Sequence, residues 1–148
     1  MAGTTVVERT ELIAATPEDL QRRIADLPAW IDWSPWEGLD ADLHREYSGE
    51  AGSVGSGYAW SGNRKAGAGR MQVTAVDADG VSIALEFTRP FRSASDLRFA
   101  LTPEGGRTRV IWRMESPTTF MSRLFNIEKL VGKDFEKGLR QLKQVVEG

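Results

Sequence analysis

The sequence predicts an α+β fold: a seven-stranded antiparallel sheet covered by a long C-terminal helix, with two short helices between the first and second strands. Three observations predict it. The hydrophobic period is helical over residues 16–33, two over residues 43–115, and helical again after residue 120. The period-two segments are joined by short turns, which favour antiparallel neighbours. A sheet with one apolar face is covered by an amphipathic helix of matching length.

The first part of the chain predicts one strand and two short helices. Residues Thr4–Ala14 are rich in β-branched side chains, which favour a strand. Thr16 is a candidate N-cap, and Pro17 occupies the first helical position. Apolar residues recur at helical spacing up to Pro28, which is predicted to end this helix. A second short helix or turn carries Trp30.

The other six strands are predicted where apolar and polar side chains alternate. They span Leu43–Ser48, Gly57–Ser61, Ala68–Val76, Val81–Thr88, Ser95–Thr102 and Arg107–Glu115. In the last strand, arginines alternate with Val110, Trp112 and Met114. Because arginine side chains point to water, Trp112 is predicted to point inward.

The C-terminal region predicts the long helix in two stretches. Apolar residues at helical spacing are Phe120, Leu124, Ile127 and Val131, and then Phe135, Leu139, Leu142 and Val146. Asp134, after Gly132, is a candidate cap for the second stretch. No repeat or linker divides the chain, so residues 1–148 are expected to form one domain.

Composition excludes several classes of function. The chain has 148 residues and a net charge of −2, which disfavours binding to nucleic acid. It has no cysteine and one histidine, so thiol chemistry and multi-histidine metal sites are excluded and no cofactor is expected. The longest apolar run, Leu12–Ala15, is too short to span a membrane. The N-terminus lacks the features of a secretory signal, so a cytoplasmic protein is expected.

Six short stretches of the chain carry a family resemblance. They are Trp33–Trp36, Trp60–Asn63, Gly67–Met71, Phe87–Phe91, Thr108–Trp112 and Gly132–Leu139. Their order resembles the START-like helix-grip superfamily, and within it the bacterial polyketide cyclase/dehydrase (SRPBCC) proteins. The resemblance implies a sheet curled around the C-terminal helix, with an apolar cavity for a lipid, sterol, polyketide or similar ligand.

Aromatic and methionine side chains on the inward face of this sheet are the candidate ligand-binding residues. The set, with flanking apolar residues, is Trp36, Tyr58, Trp60, Met71, Phe87, Phe99, Trp112, Met114, Phe120 and Leu124. The same side chains could simply fill a core. Likewise, the cluster of Trp30, Trp33 and Trp36 could form a lid over the cavity or pack a short helix against the sheet.

Polar residues offer fewer candidates. His44 has charged neighbours and is interpreted as a surface residue. Arg89, before a proline, could reach over the cavity entrance, and either Glu8 or Glu11 could point inward and donate a proton. Outward alternation predicts surface cross-strand pairing for Glu86, Asp96 and Arg98.

Three hypotheses for function follow. The first is a binding module that carries, senses or sequesters a small hydrophobic molecule in an apolar cavity between the sheet and the C-terminal helix. The alternative is a polyketide cyclase/dehydratase-type enzyme in which Tyr58 or a first-strand glutamate moves the proton. The third, a stress-response interaction domain, requires an exposed apolar patch that the alternation does not show. An inward-facing polar pair with a shifted pKa would favour the enzyme, and a purely apolar lining would disfavour it.

Overall fold

The computed structural model describes residues 3–89, 92–119 and 126–148. Within these residues, seven strands form one antiparallel sheet. The strands are β1 (Thr4–Ile13), β2 (His44–Ser48), β3 (Gly57–Ser61), β4 (Ala68–Asp77), β5 (Gly80–Arg89), β6 (Ser93–Glu104) and β7 (Arg107–Pro117). The helices are α1 (Pro17–Ala25), a 3₁₀ helix (Leu27–Asp32) and α2 (Ile127–Glu147). The predicted fold class is confirmed, including the two short helices between β1 and β2.

The strand order is β1-β7-β6-β5-β4-β3-β2, so β1 and β2 are the two edge strands. Strands β2 to β7 are joined as a meander, and β1 pairs with β7 through residues as distant in sequence as Thr4 and Pro117. The β4–β5 register shifts between Ala68 and Gly69 and between Val73 and Ala75. Such irregularities increase local twist and bend, and so favour a curved sheet.

Helix α1 begins as predicted, but its end differs. The Thr16 hydroxyl accepts a hydrogen bond from the Asp19 backbone N–H at 3.2 Å, and Pro17 occupies the first turn. The prediction that Pro28 ends this helix is wrong, because α1 already ends at Ala25 and Asp26 has extended backbone angles. Pro28 instead lies in the first turn of the 3₁₀ helix, where its missing N–H costs nothing.

The prediction of a helix cap at Asp134 is also wrong. Helix α2 runs without interruption from Ile127 to Glu147, and Asp134 lies inside it. Gly132, which suggested a break, has a packing role: a Cβ there would overlap the Arg9 guanidinium. The apolar positions 120–125 lie outside the described residues.

The five largest fully buried side chains among the described residues are aromatic, and they pack together between the sheet and the helices, where a cavity is predicted. Trp30, Trp33, Phe99, Trp112 and Phe135 are at most 2% exposed. Trp112 stacks on Phe135 with ring centroids 4.0 Å apart, and Phe99 lies 4.6 Å from Trp112. Trp112 therefore points inward as predicted, into a solid contact between β7 and α2.

Candidate functional site

The inner face of the sheet is covered in two different ways. Helix α2 packs mainly on β1, over the aromatic core. Near β2–β4, the covering element is the irregular chain at residues 34–43, which joins the 3₁₀ helix to β2. We call residues 34–43 the cover segment. The 3₁₀ helix also contacts β3, and α1 packs on β4 to β6.

An enclosed space lies between the cover segment and the sheet. It is lined by Trp30, Ser34, Trp36, Glu37, Leu43, Tyr58, Trp60 and Met71. Its volume is about 20 Å³, room for a single water molecule. A larger guest therefore requires the cover segment to move away from the sheet.

Aromatic rings form the sheet side of this cavity. The Tyr58 ring is stacked between those of Tyr47 and Trp60, with centroids 5.1 Å and 5.7 Å away. The Trp60 indole donates a hydrogen bond to the Ala66 carbonyl at 3.0 Å, which fixes its orientation. Phe87 meets Trp60 edge to face at 5.4 Å. These contacts make a flat, apolar wall.

A partly buried ion pair lies beside the same cavity, with Glu37 in its lining. Arg45 of β2 donates a hydrogen bond from Nη2 to Glu37 Oε1, and the two side chains are only 25% and 18% exposed. Arg45 stands opposite Trp60 in the β2–β3 register, which places it on the inner face. Its Nε is buried and has no hydrogen-bond partner among the described residues.

Sequence reasoning missed this pair. By sequence alone, Arg45 is only a charged neighbour of His44. The available signal is the alternation of side chains along β2. Arg45 and Tyr47 point to one face of the sheet and His44 and Glu46 to the other, so one of these two pairs faces the core.

Tyr58 and Arg45 both remain protonated at neutral pH. Burial raises the pKa of Tyr58 to about 12, with a smaller contribution from the nearby Glu37 carboxylate. The Tyr58 hydroxyl therefore remains a hydrogen-bond donor at neutral pH. The hydrogen bond to Glu37 raises the pKa of Arg45, which remains charged.

Hydrogen bonds hold the cover segment in place. Trp36 Nε1 donates to Asp134 Oδ2 at 3.2 Å, and Gln141 Nε2 donates to the Ser34 carbonyl at 3.3 Å. The Asn63 backbone N–H donates to Asp40 Oδ2 at 2.8 Å. The segment is also held by packing: Pro35 lies against Gly138 of α2, and Trp36 meets Trp112 edge to face with ring centroids 5.8 Å apart.

The Trp36–Asp134 contact predicts a pH effect on stability. Burial raises the pKa of Asp134, partly offset by the Trp36 hydrogen bond, so its ionised form disfavours folding. This penalty is absent below the unfolded-state pKa of about 3.9 and complete once pH exceeds the folded-state pKa. Asp134→Asn keeps an acceptor for Trp36 without the charge. We expect it to raise Tm at pH 7.

Thermal unfolding measured by circular dichroism from pH 3 to 8 checks this prediction. The Tm advantage of Asp134→Asn over the native protein should shrink as pH falls and vanish below about pH 4. Glu136→Gln, a charge change at an exposed position of α2, is the control. A Tm for Asp134→Asn below that of the native protein at pH 7 contradicts the assignment.

The structure brings four of the predicted ligand-binding residues together. Trp36, Tyr58, Trp60 and Met71 line the cavity. Phe87 contacts it through Trp60, and Met114 is buried on β7 without lining it. For these residues, ligand contact stays a prediction.

The remaining predicted site residues lie elsewhere. Phe99 and Trp112 are fully buried in the aromatic core, where each packs against other rings rather than against the cavity. Phe120 and Leu124 lie outside the described residues. Of the three tryptophans considered as a lid, Trp30 and Trp33 belong to the core.

The polar candidates from the sequence lie outside this cavity. His44 is exposed and contacts Glu46 at 3.2 Å, as expected for a surface histidine. Arg89 donates to the Ser61 hydroxyl at 2.8 Å, which ties it to the end of β3. Glu8 pairs with Arg113 at 3.1 Å, and Glu11 does not line the cavity.

The predicted cross-strand pairing at the surface occurs for Glu86 of β5 and for Arg98 of β6. Glu86 pairs with Arg70 of β4, and Arg98 pairs with Asp77 of β4, each at 3.1 Å.

A wider depression of about 750 Å³ lies on the outer face of the sheet. By strand alternation, its side chains include Ala59, Arg70, Ala84, Glu86 and Asp96. It is shallow and rich in charged groups. Because ligand sites bury most of a ligand's surface, the enclosed aromatic cavity is the better candidate.

Neither a metal site nor a membrane span appears in the described residues. Across residues 3–89, 92–119 and 126–148, no three His, Asp or Glu side chains are grouped so that they could hold a metal ion. No helix in these ranges is long and apolar enough to cross a membrane.

The chain has a curved antiparallel sheet that packs against a C-terminal helix, with a cavity on the inner face of the sheet. This architecture is that of the helix-grip class of proteins. A family profile described as "Polyketide cyclase / dehydrase and lipid transport" matches residues 4–147. The chain belongs to this family. No curated protein matches the sequence.

Solved structures share the fold at low sequence identity. An uncharacterized protein from Rhizobium leguminosarum has a TM-score of 0.73 at 15% identity, covering 99% of this chain and 97% of its own. The Aha1 dimer from Colwellia psychrerythraea has a TM-score of 0.65 at 17% identity, covering 97% and 96%. Ginseng major latex-like protein 151 from Panax ginseng has 0.64 at 15%, covering 97% of both. At these identities, the likeness extends to the fold alone.

Proposed function

We propose that this protein binds a small, mainly apolar molecule against the inner face of β3 and β4, beneath the cover segment. One observation carries the proposal: the aromatic wall formed by Tyr58 and Trp60 is covered by an irregular segment, with a small unfilled space between wall and segment. The family description, which includes lipid transport, agrees with an apolar ligand.

Binding requires the cover segment to open. A typical intramolecular hydrogen bond contributes about 1 kcal/mol net, so breaking the few described here costs several kcal/mol, and any loss of the Pro35 and Trp36 packing contacts adds to this cost. An open state of that energy is a minor population, which a ligand can stabilise by stacking on the exposed rings. The apparent affinity is then the intrinsic affinity reduced by the fraction of open molecules.

Titration with the neutral fluorescent probe N-phenyl-1-naphthylamine tests this proposal. We expect the native protein to bind it, and Leu43→Trp to weaken binding at least tenfold, because the larger ring fills the space at the wall. Leu43 is only partly buried, so we expect Tm to change little.

The matched control is Ile31→Trp, the same enlargement at a side chain that is 50% exposed and outside the cavity. It should leave probe affinity unchanged. Equal affinity of Leu43→Trp and native protein would place the site elsewhere, and no binding by the native protein would refute the proposal.

A second candidate is cyclisation or dehydration of a bound polyketone. The Glu37–Arg45 pair favours it, because a polar pair faces the cavity and its guanidinium has a raised pKa. The protonated Tyr58 hydroxyl could donate a hydrogen bond to an enolate oxygen. Loss of one water mass from a linear poly-β-ketone, abolished in Tyr58→Phe, would support this reaction. Because cyclisation alone conserves mass, an unchanged mass together with an unchanged chromatographic retention time would leave binding alone.

A further inference from the structure

The two charged side chains at the cavity, Glu37 and Arg45, are paired with each other. Glu37 lines the cavity, and Arg45 contacts its carboxylate from β2. The two formal charges cancel at contact distance. The cavity therefore offers no net charge to a guest from this pair, although both members keep hydrogen-bonding capacity.

Unused hydrogen-bonding capacity remains on both side chains. Arg45 donates to Glu37 through Nη2, whereas its buried Nε has no partner among the described residues. A carboxylate has about four acceptor sites, and Glu37 uses one of them for Arg45. A guest oxygen could therefore accept from the guanidinium, and a guest hydroxyl could also donate to the carboxylate.

Electrostatics disfavour a charged guest. A guest carboxylate would lie beside Glu37 and near a second carboxylate, Asp134, which holds Trp36 of the cavity wall. A guest ammonium would instead face the Arg45 guanidinium. Either ion would also lose its hydration, and it would find no opposite charge that is free to pair with it, because Glu37 and Arg45 already pair with each other.

We propose that the ligand is an uncharged, mainly apolar molecule bearing one hydroxyl or carbonyl oxygen, which hydrogen-bonds to the Glu37–Arg45 pair. This inference rests on the proposed function and narrows its ligand class. The apolar body lies on the wall of Tyr58 and Trp60, and the oxygen is directed toward β2.

Four molecules with one ring system test the ligand class: naphthalene, 2-naphthol, 2-naphthoate and 2-naphthylmethylammonium. Each competes with N-phenyl-1-naphthylamine for the native protein at pH 7. We expect 2-naphthol to bind about tenfold more tightly than naphthalene, since a buried hydrogen bond contributes roughly that factor. We expect the two ions to bind at least tenfold more weakly than 2-naphthol.

The double variant Glu37→Leu/Arg45→Met removes both charges and keeps comparable apolar volume. In it, the affinity ratio of 2-naphthol to naphthalene should fall to about one. Arg70→Met/Glu86→Leu removes a matched ion pair, 3.1 Å apart, from the outer face and should leave the ratio unchanged.

The outcomes separate the two proposals. Probe binding with equal affinities for naphthalene and 2-naphthol, or with a preference for either ion, overturns the ligand class and leaves the proposed function standing. Failure of the native protein to bind the probe and all four molecules overturns both. If the double variant does not fold, the native series alone decides.

Discussion

Replacing Trp112 by alanine is expected to lower the free energy of unfolding by about 3–5 kcal/mol, the usual cost of deleting a large buried aromatic side chain. Trp112 is fully buried and contacts Phe135 at 4.0 Å and Phe99 at 4.6 Å between ring centroids. Neighbouring rings cannot collapse into the space without losing these contacts. For a chain of this length, Tm should fall by about 10–15 °C.

Urea unfolding followed by circular dichroism measures this effect. Trp112→Phe is the control: it keeps an aromatic ring and removes an indole N–H that has no partner among the described residues. It should cost clearly less than the alanine change. A loss below about 1.5 kcal/mol for Trp112→Ala would be incompatible with a filled core and would indicate a cavity at this ring.

Gly138→Val is expected to destabilise the protein by about 2–3 kcal/mol through overpacking. A Cβ at Gly138 would lie 2.8 Å from both Pro35 Cδ and Trp112 Cζ3, closer than real Cβ atoms approach. Neither neighbour can yield easily, because one belongs to a proline ring and the other is stacked on Phe135. This cost opposes the gain that a helix normally obtains when glycine is replaced.

Lys137→Val, the same new residue at the adjacent exposed position of α2, is the control. It should change the free energy of unfolding by less than about 0.5 kcal/mol. If both variants were equally stable, α2 would have to lie farther from Pro35 and Trp112 than described.

The fold was predictable because buried apolar side chains alternate regularly with exposed polar ones along the strands. In β7, buried Val110, Trp112 and Met114 alternate with arginines, and this period of two is enough to give strand and orientation. Helix ends were less predictable. Gly132 suggested a break in α2, whereas its lack of a side chain admits the guanidinium of Arg9, a residue 123 positions away in the chain.

The candidate site was only partly predictable, for a related reason. Alternation places Trp60 and Trp112 on the same face of the sheet and cannot say which one borders empty space. That depends on what covers each ring: Phe135 of α2 lies against Trp112, whereas Trp60 lines the cavity beneath the cover segment. Alternation along β2 places Arg45 and Tyr47 on one face, but the sequence does not show that the irregular segment brings Glu37 to Arg45.

Under the proposed function, the region that admits a guest differs from the stacked aromatic rings that keep the chain folded. Proteins tolerate few destabilising changes, because their stability exceeds the required threshold only slightly. Under the proposed function, residues 37–43 and β2 can accumulate substitutions that alter selectivity while Pro35 and Trp36 keep their contacts with Gly138 and Trp112. Descendants of such a chain can therefore acquire new guests through changes at the margin of the sheet, without evolving a new scaffold.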